Sequence, residues 1–188
     1  MDKKAELLAV AREVFAEKGY KKTNISDITS RALMAVGSFY NYYPSKEAIF
    51  LDVYVAENSR VREATMQLVD WQGDPEAVVE ELFAVTFELV SPNKILAEWN
   101  KPGISQILRD YYYQDAGQEV NAFHQFLIKT FSQRLQEEGF SEEKITEIMK
   151  VYDLIYYIDM HVTDQEFSGY FDSLETLVKY FVRGIFSK

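Results

Sequence analysis

The sequence predicts an all-α protein: an N-terminal three-helix helix-turn-helix module followed by a larger helical domain, about nine or ten helices together. Three observations carry that prediction. Apolar residues recur with a period near 3.6 along most of the 188 residues, and no segment alternates convincingly with period two. Glycine and proline are scarce, at 8 and 4, and several of them punctuate the periodic runs. Within the first 46 residues lie three short helical patterns, the second and third joined by a tight turn.

Leu7, Leu8, Ala11, Val14 and Phe15 place a first helix, and Gly19 stands where a cap in the left-handed region ends it. A second helix starts after Asn24, with Asp27 in its first turn beside the unpaired N–H groups. Ile25 and Ile28 form its small apolar side, and a turn near Leu33-Met34 follows. The third helix runs from Val36 to Tyr42, Pro44 stops it, and Ser45 caps a fourth from Lys46 towards Asp70. After the break at 71–74, Asp74-Pro75 reads as cap and first residue of a helix through Phe87. A short piece around Ile95–Trp99 comes next, then helices near 103–113, 117–138, 142–162 and 172–186.

The net charge of −10 is unevenly spread. Residues 1–46 hold eight Lys/Arg against five Asp/Glu, a balance of +3, and residues 47–188 hold 12 against 25, a balance of −13. A small basic module on an acidic body is the charge pattern of a DNA-contacting protein. No apolar run approaches the length of a membrane span, and the interleaved charges at the N-terminus do not read as a signal peptide, so a cytoplasmic location is expected. With no cysteine, thiolate metal sites and cysteine nucleophiles are excluded. The two histidines, His124 and His161, have no triad context, and no glycine-rich phosphate loop is present. Asp159, His161, Asp164 and Glu166 do not share one helix face, so no metal, no cofactor and no enzymatic activity are expected.

Residues 19–50 carry an ordered set: Gly19-Tyr20, Thr23, Asp27-Ile28, Ala32, Gly37-Ser38-Phe39-Tyr40, Tyr42-Tyr43 and Ser45-Lys46-Glu47. This run resembles the DNA-binding region of the TetR family of bacterial transcriptional regulators. The resemblance implies a helix-turn-helix domain over 1–46, a ligand-binding and dimerisation domain over 47–188, and a homodimer on an inverted-repeat operator in double-stranded DNA. It further implies release by a small-molecule effector through movement of the fourth helix, and repression rather than activation. A second reading is an all-α ligand-binding or scaffolding protein whose helix-turn-helix no longer reads DNA.

Physical chemistry selects the same face. Gly37 and Ser38 are small enough for close approach, and Val36 can touch thymine methyls. Tyr40 and Tyr42 can carry hydroxyls to phosphates while Phe39 and Tyr43, four apart, pack inward. Asn41 can read bases, and Lys46 at a helix start faces an anion site. Thr23 and Asn24 offer donors, with Lys4 and Lys22 as point charges. Three departures from the family pattern stand out: Leu33 for a turn Gly, Ala35 for a Ser, and apolar Val36 and Ile25 where base-reading side chains are common.

Residues 47–188 contain 11 Phe, 9 Tyr and 2 Trp, most of them core and interface. Trp99, Tyr111, Phe123, Phe126, Tyr152 and Tyr156 are candidates to line a small-molecule cavity. Asp159 lies in the otherwise apolar stretch 154–162, either capped by a tyrosine hydroxyl or facing a bound cation. The surplus apolar positions of helices 117–138 and 172–186 predict a four-helix dimer interface.

Overall fold

The computed structural model describes residues 2–101, 104–113 and 122–187. It is all-α, with no strand among the described residues. The helices are α1 Lys3–Lys18, α2 Ile25–Arg31, α3 Val36–Phe39, α4 Lys46–Leu68, α5 Pro75–Val90, α6 Ser105–Tyr113, α7 Ala122–Glu137, α8 Glu142–His161 and α9 Tyr170–Phe186, with a 3-10 turn at Leu96–Asn100. Most expected boundaries agree within two residues. The start expected at 117 lies partly outside the described residues. The third helix is the exception, ending at Phe39 rather than Tyr42. Beyond it the bonds from Asn41 N–H to Ser38 O and from Tyr42 N–H to Phe39 O tighten the chain to i→i+3 spacing, a last bond runs from Tyr43 N–H to Phe39 O, and Pro44, without an N–H, cannot continue the helix. No described helix is long and apolar enough to cross a membrane.

The chain divides into two compact units, Met1–Ala64 with Thr86–Leu108, and Thr65–Val85 with Arg109–Lys188. The first is built around a ring cluster in which Phe15 meets Phe50 edge-on at 5.0 Å and Tyr20 meets Phe50 at 4.8 Å. Leu7, Val14, Ile28, Phe39, Ile49 and Val53 close over it, which fastens α1, α2, α3 and α4 together. Such edge-to-face pairs add about 1 kcal/mol beyond their burial. Tyr54 stacks on Trp99 in the same unit, at 6.3 Å.

An ion node sits on the apolar stripe of α4. Ile49, Phe50, Val53, Tyr54 and Val61 are buried there, and between them Glu57 is only 3% exposed. Its carboxylate accepts from Arg12 Nε at 2.7 Å, Arg60 Nη2 at 2.7 Å and Asn93 Nδ2 at 2.8 Å. Asn93 in turn accepts from the N–H groups of Ile95 and Leu96. Burial alone would push Glu57 up, but the bonds from Arg60, Arg12 and Asn93 prevail and hold it at about 2. A carboxylate in an apolar stripe was the available signal for this node.

In the second unit Phe131 of α7 packs against Tyr152 of α8 and against Phe181 and Phe186 of α9, while Leu135 is fully buried. Arg183 grips Glu76 with Nε and Nη2, and Lys179 meets Glu80 at 2.7 Å. Of the large apolar groups left exposed on the three helices α7, α8 and α9, Val151, Leu154 and Tyr157 lie on α8 and Leu177 and Tyr180 on α9, while Leu68 and Phe167 are exposed elsewhere in the unit.

Candidate nucleic-acid interface

The helix-turn-helix is α2, the turn 32–35 and α3. At its entry, Asp27 accepts from the Asn24 N–H at 2.8 Å and from Lys18 at 2.8 Å, which satisfies the N-terminus of α2. Its exit is a Schellman motif. The Met34 N–H donates to Thr29 O at 2.9 Å and the Leu33 N–H to Ser30 O at 3.3 Å. The left-handed position of that motif is Leu33, at φ 51°, where glycine is the usual occupant. A side chain there costs about 1–2 kcal/mol.

α3 presents two faces. Phe39 and Tyr43 are buried, and the Tyr43 hydroxyl donates to Asp52 at 2.9 Å. Val36 and Tyr40, also four apart, are exposed at 45% and 55%. Gly37 is exposed between them, and a Cβ built on it would meet no atom within 4 Å. Its φ lies outside the left-handed region, so neither backbone conformation nor internal packing requires glycine there. Ser38 and Tyr42 are half-buried, and Asn41 and Asn24 are exposed.

The basic residues divide into engaged and available ones. Lys22, like Lys21, is exposed and makes no ion pair among the described residues. Lys4 lies 4.0 Å from Asp52 and 5.1 Å from the Tyr43 ring centre, still largely in solvent. Lys46 is half-buried: its ammonium donates to Tyr20 O at 3.1 Å and Thr23 O at 3.0 Å and lies 4.1 Å from the Tyr20 ring centre. An ammonium has three donors, so one is left for an anion. Thr23 is fully buried, with its hydroxyl given to Gly19 O at 2.8 Å, so its side chain does not reach the surface as the sequence reading expected. Tyr20, part of the ordered set but assigned no role from the sequence, donates to Glu47 at 2.7 Å and ties the α1–α2 loop to the start of α4. Burial and that carboxylate push the Tyr20 phenol upward and keep it a donor.

The candidate ligand residues fall in both units. Trp99 belongs to the first unit, and Tyr111, Phe123, Phe126, Tyr152, Tyr156 and Asp159 belong to the second. Tyr111 packs edge-on to Tyr112, and Phe126 edge-on to Trp71 at 5.0 Å. An open groove of about 290 Å³ borders that pair, lined also by Gln72, Thr130, Gln133, Arg134 and Glu137. Tyr152 and Tyr156 both stack with His124, the latter at 3.6 Å. The Tyr152 hydroxyl is buried and finds no partner among the described residues. Asp159 is exposed and accepts from the Tyr170 hydroxyl at 3.3 Å, which is the capped arrangement of the two open from sequence. Asp164 accepts from Tyr170 N–H, Glu166 is engaged by Thr163, and no acid–histidine group among the described residues is arranged for a metal.

Comparison with known proteins converges on the same segment. Residues 7–53 match the family of bacterial regulatory proteins called the tetR family. The repressor KstR2 of Mycobacterium tuberculosis is 33% identical over 95 residues, covering 47% of this chain and 44% of its own length. The regulator QacR of Staphylococcus aureus is 32% identical over 63 residues, 34% of either chain. These alignments span less than half of the relatives' lengths. Over the whole chain, the structure of RolR in complex with resorcinol superposes with a TM-score of 0.59 at 21% identity, covering 99% of this chain and 93% of that one, a likeness of fold. The helix-turn-helix geometry, the ordered residues 19–50 and the matched segment agree, and over residues 7–53 the chain is similar to the tetR family of bacterial regulatory proteins.

Proposed function

We propose that this chain is a cytoplasmic one-component transcriptional repressor. It binds an inverted-repeat DNA operator as a homodimer through residues 1–46, and is released by a small, largely apolar ligand bound within 47–188. Gly37 is the observation that supports this reading best. An exposed glycine inside a helix costs about 0.5–1 kcal/mol relative to alanine, and here nothing inside the fold needs it. Close approach of an outside surface is what an absent Cβ permits, and the helix-turn-helix presents that position to a major groove.

Gly37→Ala therefore moves two measurements in opposite directions. Unfolding becomes harder by about 0.5 kcal/mol or more, while affinity for DNA falls about tenfold, the size of one lost base-pair contact. Unchanged DNA affinity in this variant would remove the main support for α3 as the reading element.

Dimerisation is assigned to α8 and α9, whose exposed Val151, Leu154, Tyr157, Leu177 and Tyr180 form the apolar surface that two-fold symmetry can pair with itself. Sedimentation of the wild type should give a dimer, and Leu154→Asp should give a species near the chain mass of 21.9 kDa. A wild-type monomer at micromolar concentration rules out the assignment. The ligand reading draws on the buried, unanswered Tyr152 hydroxyl and on the resorcinol complex of RolR. Release requires that the ligand bind better to a DNA-incompetent state, so operator DNA must weaken ligand binding by the same factor. Equal ligand affinity with and without operator would exclude this mechanism.

A further inference from the structure

Three successive features of the turn into α3 each work against local stability. Leu33 occupies a left-handed position at φ 51° with its side chain 95% exposed. Ala35 caps α3 without an oxygen to offer, where Ser, Thr, Asp or Asn would accept from a free N–H of the first turn. Val36 then opens the helix with a β-branched side chain turned to solvent. Among the described residues of 1–64, Leu33, Val36 and Tyr40 are the large hydrophobic groups that stand exposed. Local rules fail together where a function requires it, and what these positions share is apolar side chain.

The setting identifies the occupant. Lys21 and Lys22 are exposed without ion pairs among the described residues, Asn24 and Asn41 are exposed, and the segment 1–46 carries +3 in a chain of net −10. The partner is a polyanion that also offers apolar groups at its reading edge. Duplex DNA meets both conditions through the 5-methyl of thymine in the major groove. RNA fails on both counts, since uracil lacks the methyl and the A-form major groove is too narrow to enter.

We infer that Leu33, Ala35 and Val36 form an apolar reading edge that recognises thymine methyl groups, so that this protein selects operators by T-methyl contact where polar side chains would select by hydrogen bonds. The inference rests on the DNA-binding reading above. It extends that reading from the mode of binding to the base chemistry read.

Deoxyuridine replacement tests it, because it removes the methyl and leaves base pairing intact. The probe is a duplex recovered from random-sequence DNA by selection on the full-length protein. Replacing thymines one at a time should weaken binding about fourfold at each contacted methyl, the fold-change that matches burial of one methyl group. Symmetric replacement in both half-sites should reach about tenfold or more. Val36→Ser should bind the thymine and deoxyuridine duplexes equally at the positions Val36 covers. Leu33→Gly, which suits the left-handed turn and so leaves the fold intact, should do the same at its own positions. Wild-type protein that binds both duplexes equally, with steep salt dependence retained, overturns the methyl readout and leaves DNA binding standing. Recovery of no duplex at low salt, or capture by anionic vesicles instead, overturns both.

Discussion

Between about pH 5 and pH 2 the first unit is expected to lose up to about 3 kcal/mol of stability through Glu57 alone. The carboxyl is held at about 2 against 4.5 in the unfolded chain, a depressed value. Its contribution is therefore complete above the unfolded value and disappears as pH falls through the folded one. Arg12 and Arg60 are themselves largely exposed, so the figure is an upper bound: freed guanidiniums return to water. Glu57→Gln isolates the effect from the other carboxylates, because a protonated Glu and a Gln have the same shape and no charge. Urea unfolding of the two proteins should differ most at pH 7 and converge near pH 2. Parallel curves across that range would mean that the node contributes no charge-dependent stability. The node joins α1, α4 and the segment 93–96, so its loss loosens the base on which α2 and α3 stand.

Operator affinity is expected to fall roughly 10³-fold between 50 and 200 mM salt, as several phosphate contacts on two half-sites release their counterions. The acidic remainder of the chain makes this more telling. A protein of net charge −10 has no general attraction to DNA, so a steep slope must come from the local basic surface. Lys22→Ala should shallow the slope by about two for a dimer and weaken all sequences alike. Lys46→Ala has a different expected signature. Its ammonium holds the carbonyls of Tyr20 and Thr23, so part of its effect should be loss of stability rather than of slope. Fluorescence anisotropy of a labelled duplex across a salt series measures both variants. A slope near zero for the wild type would remove phosphate contact as the basis of binding.

Much was legible without the tertiary structure. The helices followed from the 3.6 period, the capping residues and the proline and glycine breaks, because those signals are local and each carries its own geometry. The helix-turn-helix followed from the ordered residues 19–50, and so did the inward pair Phe39 and Tyr43 and the outward Val36, Gly37 and Tyr40, because spacing on a helix determines side. What only the tertiary structure decided depends on partners distant in sequence. Glu57 on an apolar stripe gains its meaning from Arg12 and Asn93, at 45 and 36 residues' remove. Thr23 resembles a surface donor until Gly19 O claims it, and Lys46 resembles a free charge until the α1–α2 loop folds over it. Asp159 gains a tyrosine hydroxyl from Tyr170, eleven residues away across a loop. In the same way, Phe131 packs against α8 and α9 and Leu135 is buried, which leaves exposed large apolar groups on α8 and not on α7. Periodicity states which side of a helix is apolar; which neighbour covers that side is a property of the assembled chain, since burial is shared between surfaces that meet only when folded.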